Sequence, residues 1–147
     1  MQKEMNNLKQ TKKLAEQLAP KIKKGDVITL KGDLGAGKTT FARFLINALA
    51  SEKLEVTSPT FNIAHTYDLA NFTLWHFDLY RLEEQSEAEE VGLYDALDQG
   101  VAIIEWAEIV SDMLPDDRLL INIIDNEGNR TCHLQGFGNW QERIGKL

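Results

Sequence analysis

Val27-Ile28-Thr29-Leu30, then Gly32-Asp33-Leu34-Gly35-Ala36-Gly37-Lys38-Thr39, then a stripe at Phe41, Phe44, Leu45, Ala48 and Leu49 are the lines from which the fold is read. The first is a short β-rich run introduced by Gly25-Asp26. The second fits the phosphate-binding pattern G-x-x-x-x-G-K-[S/T] without a mismatch. The third recurs at i, i+3, i+4, i+7 and i+8, the apolar face of an amphipathic helix. Strand, glycine-rich loop and helix thus follow in the order that anion binding needs. Glycines let the backbone wrap close to an anion. The loop N–H groups converge on phosphate, and the positive end of the new helix reinforces them. The pattern makes Asp33, Leu34, Gly35, Ala36, Gly37, Lys38, Thr39 and Thr40 the candidate nucleotide-binding residues. Lys38 is placed to reach the β- and γ-phosphates, and the Thr39 hydroxyl to bind Mg²⁺.

Outward from this stretch, the chain has the length of one domain, 1–147, with a core of ordinary composition: 43% apolar and 27% charged residues. No apolar run reaches membrane-spanning length, and residues 1–20 are polar and lysine-dotted, unlike a signal peptide. A single cysteine, Cys132, excludes an internal disulfide framework and suits a reducing cytoplasm; its alternating surroundings make it a packed strand residue. The net charge of −7 argues against independent nucleic-acid binding, which calls for a basic face. The lysines that crowd at residues 3–24 read as a solvated helix face.

The pattern predicts a helix over 7–20, built on Leu14, Leu18 and Ile22 with Ala15 and Ala19, capped by Asn7 or Thr11. Strand, loop and helix occupy 27–31, 32–37 and 38–50. Val56 to Phe61 is a proline-broken loop after a short strand, and 62–68 with 73–79 form a hairpin. Residues 83–98 hold one or two short helices, interrupted near Gly92, on Ala88, Val91, Leu93, Tyr94 and Leu97. Val101-Ala102-Ile103-Ile104 is a strand covered on both faces. After a turn at 115–117, strands over 118–124 and 130–135 flank a turn at 125–129, and 138–147 is a short helix or frayed tail. Together these elements make a parallel α/β sheet with antiparallel hairpin additions, its ligand beyond the C-terminal ends of the parallel strands.

Acid at that edge adds chemistry. Glu105 ends the strand 101–104, from where a carboxylate can hold Mg²⁺ directly or through water. Asp78 ends Leu74-Trp75-His76-Phe77, placed to orient or deprotonate an attacking group. Alternation puts His76 on the face of Asp78, which raises a metal pair, but His65 and His133 supply no convincing third ligand. Thr60 is a candidate sensor of the γ-phosphate or metal, and Trp106 is either a core residue or a site residue.

The strings GDLGAGKTT (32–40), SPTF (58–61), HFDLYRL (76–82) and IEW (104–106) closely resemble the TsaE (formerly YjeE) family, bacterial ATPases needed to make threonylcarbamoyladenosine in tRNA. The match covers essentially the whole chain. It implies a P-loop NTPase-like three-layer sandwich that uses ATP and Mg²⁺, works with the proteins TsaD and TsaB, and meets tRNA only through that complex. The resemblance implies Mg²⁺ binding by Thr39 and Glu105, an essential Asp78, and Trp106 near the nucleotide. The base region falls by position near Leu8 to Thr11 and at Arg130. A small-molecule kinase would share the loop and could use Asp78 equally well. A GTP switch lacks an Asn-Lys-x-Asp tetrapeptide here, and the Asp-x-x-Gly match at Asp125–Gly128 falls in a late turn. A nucleotide-sensing module without turnover is the non-enzymatic alternative.

Overall fold

A computed structural model of the chain describes residues 1–50, 53–59 and 62–147. The strands are β1 (Gln2–Glu4), β2 (Val27–Lys31), β3 (Ala64–Asp68), β4 (Thr73–Asp78), β5 (Val101–Glu105), β6 (Arg118–Asn126) and β7 (Asn129–Phe137). The α-helices are α1 (Leu8–Leu18), α2 (Lys38–Ala50), α3 (Gln85–Glu90), α4 (Leu93–Gln99) and α5 (Trp140–Ile144), with 3₁₀ segments at Ala19–Lys21 and Ala107–Met113. One seven-stranded sheet runs in the order β1-β7-β6-β2-β5-β4-β3. Its centre, β6-β2-β5-β4, is parallel. The β6–β7, β1–β7 and β3–β4 pairs are antiparallel.

Alternation along the strands sorts the core into two layers. Ile28, Leu30, Leu74, Val101 and Ile103 pack with Leu14, Leu18, Phe41, Leu45 and Trp140, so α1, α2 and α5 cover this face. Val27, Phe77, Ala102 and Ile104 face Ala88, Leu93, Ala96 and Val110, from α3, α4 and the 107–113 segment. The result is the parallel α/β sheet with antiparallel additions that the pattern predicts, in the three-layer sandwich that the resemblance implies. Each fully buried Leu, Ile or Phe contributes about 1.5–3 kcal/mol. Residues 101–104 are buried on both faces, as an unbroken apolar run demands.

Several boundaries differ from the sequence reading. The three-residue β1 was not anticipated. It carries no apolar alternation and is held by backbone bonds along the β7 edge, such as Leu134 N–H to Met1 O at 2.8 Å. Asn7, rather than Thr11, caps α1, its Oδ1 accepting from Gln10 N at 2.8 Å. Pro20 turns the last residues of the expected helix into a 3₁₀ turn. Ala42 and Ile46 are buried on α2, while Phe44, Ala48 and Leu49 are half-buried, so the core stripe is rotated from the expected one. On α4, Ala96 is buried and Tyr94 is exposed. No strand precedes the Pro59 loop among residues 53–59. The β6–β7 ladder continues to Asn126 and Asn129, leaving Glu127-Gly128 as a two-residue turn with φ of 51° and 93°. Positive φ at both central residues suits the twist of a hairpin. The C-terminal stretch is a docked helix, anchored by fully buried Trp140.

Cys132 lies in the core, and burial pushes its thiol up to about 11, so the residue is packing rather than a nucleophile. Among the described residues no helix is long and apolar enough to cross a membrane.

Candidate nucleotide site

The β2–α2 loop lies at the C-terminal edge of the parallel strands, where such sheets bind ligands. Two glycines show why the pattern needs them. A Cβ on Gly32 would stand 2.7 Å from the Ile123 carbonyl oxygen, and Gly37 has φ +108° with Arg130 Nη1 3.3 Å from where its Cβ would be. Lys38 opens α2, and its ammonium folds back over the loop. Nζ donates to Gly32 O at 2.5 Å and Asp33 O at 2.9 Å and lies 4.3 Å from the centre of the Trp106 ring. Burial holds this ammonium below its ordinary 10.5, against the attraction of Glu105, Asp78, Asp33 and Glu108.

Parallel pairing places Asp78 opposite Glu105, at the ends of β4 and β5. Glu105, 2% exposed, accepts from the Thr39 hydroxyl at 3.0 Å (Oε1) and 3.2 Å (Oε2). Asp78 Oδ1 accepts from Tyr80 N at 3.1 Å. Trp106 takes a left-handed backbone, φ 57°, as the chain leaves β5. That conformation is costly for a bulky residue, and here it accompanies an indole set over Lys38 and packed against Tyr80, ring centres 4.9 Å apart.

A cavity of about 300 Å³ is lined by Leu34, Gly35, Gly37, Lys38, Thr39, Thr40, Asp78, Tyr80, Glu105, Trp106 and Arg130. Ten of the expected residues therefore meet around one space. Asp33 and Ala36 do not line it: they face a neighbouring cleft, and Asp33 contributes its carbonyl to Lys38. Thr60 lies outside the described residues. A second cavity, about 280 Å³, adjoins the first through Gly37, Thr40 and Arg130, and Met5, Asn6, Asn7, Leu8 and Thr11 form its far wall. The Leu8–Thr11 region and Arg130 thus flank the loop together. A larger cavity, about 930 Å³, is a groove on the α1–α2 side that neither Glu105 nor Asp78 nor the glycine loop lines.

Two site features escaped the sequence reading. Tyr80 packs against Trp106 with the ring planes tilted by 46°, a contact across chain segments that no spacing reveals. His76 contacts Glu105, Nε2 to Oε2 at 2.6 Å, so it is the partner of a carboxylate instead of half of a histidine–aspartate metal pair. Among the described residues no three His, Cys, Asp or Glu side chains converge on a metal position. The oxygen donors Thr39 and Glu105 nevertheless fit Mg²⁺, which takes one or two protein oxygens and completes its shell with phosphate and water. The loop amides, Lys38 and the adjoining cavity fit a nucleoside triphosphate in the same way.

The fold is that of the P-loop NTPase class. Within it, residues 5–132 match the family described as "Threonylcarbamoyl adenosine biosynthesis protein TsaE", and the chain belongs to that family. Proteins named tRNA threonylcarbamoyladenosine biosynthesis protein TsaE are similar to it. The one from Bacillus subtilis is 43% identical over 141 residues, covering 94% of this chain and 87% of that protein. The one from Rickettsia felis is 42% identical over 131 residues, covering 88% of this chain and 77% of that protein. The crystal structure of Bacillus subtilis YdiB superposes with a TM-score of 0.79 at 33% identity, covering 99% of this chain and 91% of that one.

Proposed function

We propose that this protein is a cytoplasmic, Mg²⁺-dependent ATPase that serves threonylcarbamoyladenosine modification of tRNA together with a TsaD–TsaB-type protein pair. One observation carries the chemical half of the reading. The Thr39 hydroxyl and the buried Glu105 carboxylate meet at 3.0 Å beside the Lys38 ammonium. In this reading the loop N–H groups and Lys38 hold the β- and γ-phosphates, and Thr39 and Glu105 hold the ion. When bound, Mg²⁺ neutralises charge that develops on the transferred phosphoryl group. Asp78 orients the attacking water and accepts its proton, and Trp106 with Tyr80 limits the entry of other water. The cavity walled by Met5 to Leu8, Thr11 and Arg130 takes the base and ribose. Asp125 of the Asp-x-x-Gly match accepts from Gly128 N and Arg130 Nε in the β6–β7 hairpin, a turn-building role that gives a GTP switch no support.

The biological half rests on family membership and charge. A chain of net charge −7 is poorly suited to hold tRNA alone, so its nucleotide cycle is read by a protein partner that does. Following the labelled γ-phosphate of ATP, with the purified TsaD–TsaB pair present, tests this. Inorganic phosphate that appears only with Mg²⁺ supports the reading. Label transferred to an added acceptor means a kinase, and label that stays on ATP means a binding module.

A further inference from the structure

We propose that His76 is a positioning residue of the ion site, acting through Glu105; this rests on the reading of Thr39 and Glu105 as the Mg²⁺ ligands. His76 sits on β4, fully buried, with its side chain on the face of Leu74 and Asp78. β4 and β5 are in parallel register, His76 opposite Ile103 and Asp78 opposite Glu105. His76 and Glu105 are therefore diagonal neighbours on one face, within reach of long side chains.

Among the described residues, two side chains hydrogen-bond the Glu105 carboxylate, and they do different things. Thr39 has one hydroxyl hydrogen and stands almost equally far from the two oxygens, 3.0 and 3.2 Å. That contact sets a distance but leaves the twist of the carboxylate open. His76 Nε2 reaches Oε2 alone, at 2.6 Å, a close contact of the kind that hydrogen bonds to a carboxylate make. Pinning Oε2 fixes the twist of the carboxylate, and Oε1 is then the oxygen that would be free to hold the ion. The other ring nitrogen identifies the donor: Nδ1 is buried and has no partner among the described residues. With the hydrogen on Nε2, Nδ1 is only a bare acceptor, whereas any form with a hydrogen on Nδ1 would bury an unpaired N–H. A histidine so used orients the ligand of a metal without touching the metal.

The test compares His76→Leu, which keeps bulk but cannot donate, with His76→Gln, whose amide can donate from about the place of Nε2. ADP affinity is measured by calorimetry in EDTA and across a Mg²⁺ series, with Glu105→Gln alongside. His76→Leu should raise the Mg²⁺ concentration for half-maximal effect by about ten- to a hundred-fold, leave ADP affinity in EDTA unchanged, and be largely rescued in His76→Gln. Wild-type Mg²⁺ dependence in folded His76→Leu, while Glu105→Gln is shifted, overturns the role of His76 alone. Wild-type dependence in Glu105→Gln overturns the ion-site reading and this inference with it. If His76→Leu does not fold, nitrogen NMR of the wild-type protein decides, because the chain has three histidines. A hydrogen on Nε2 that persists with Mg²⁺ and ADP supports the inference; a bare Nε2 overturns it.

Discussion

Replacing Lys38 by alanine removes the buried cation of the phosphate loop. Lys38 is 5% exposed and roofed by Trp106, so its charge acts through a medium far less screening than water. A unit charge about 4 Å from a phosphate oxygen, at an effective dielectric of about 20, is worth about 4 kcal/mol. Desolvation of the ammonium already weakens its charged form in the free protein, which trims that value. Its removal also leaves Glu105 and Asp78 to repel the incoming triphosphate, which acts the other way. A net loss of about 3–4 kcal/mol follows, two to three orders of magnitude in ATP affinity. Calorimetry reads it directly. Lys38→Met, which keeps an apolar stem beneath Trp106, should lose as much as Lys38→Ala. If both variants melt like the wild type and bind ATP within about three-fold of it, a difference below 1 kcal/mol, the loop is not the phosphate site.

An indole beside bound nucleotide should change its emission when ATP arrives, with Trp75 and Trp140 as internal controls; a change that survives Trp106→Phe makes Trp106 a packing residue only. ATP affinity should be full at neutral pH, where Lys38 is charged, and should fall as pH rises through its lowered pKa, that is, beginning below 10.5. Because bound phosphate favours the ammonium, binding in that window takes up protons, seen as a buffer-dependent heat; flat affinity to pH 10.5 contradicts this. Arg143 clamps Asp26 at 2.6 and 2.9 Å, tying α5 to the start of β2. Arg143→Ala should cost about 3 kcal/mol by leaving the buried Asp26 carboxylate without its counter-charge, held among the described residues only by the Lys23 N–H, lowering Tm by about 6–12 °C without changing ATP affinity; an unchanged Tm shows that the clamp does not stabilise the fold.

Features set by local pattern were legible in the chain, and features set by contacts between distant segments were not. The loop at 32–39 announces itself because its glycines answer local demands, Gly32 the closeness of the Ile123 carbonyl and Gly35 and Gly37 a positive φ. Val101–Ile104 reads as a doubly covered strand because its run is unbroken, and that run places Glu105 at the sheet edge. Gly92 marks the α3–α4 break because its φ is +95° and any Cβ would strike the Trp75 ring at 2.6 Å. By contrast, Gln2–Glu4 pair through backbone groups, so their side chains carry no signal. The 107–113 segment starts from the left-handed Trp106 and contains Val110 at φ −112°, ψ 16°, a path without helical periodicity. His76 was visible as a neighbour of Asp78 along β4, but its contact is with Glu105, across the ladder. Only the register of β4 on β5 makes that pair.

In the proposed function, ATP hydrolysis at the Thr39–Glu105–Asp78 site is coupled to a protein partner. The most direct test measures turnover at saturating ATP, with and without the purified TsaD–TsaB pair, together with the affinity for that pair in the ATP- and ADP-bound states. A cycle can be driven only if those two affinities differ. The wild-type protein should be stimulated by the pair and bind it unequally in the two states. Asp78→Ala should bind ATP and the pair yet lose at least about ten-fold in turnover, near 1.4 kcal/mol. Equal affinities with no stimulation, or full turnover in Asp78→Ala, would contradict the account.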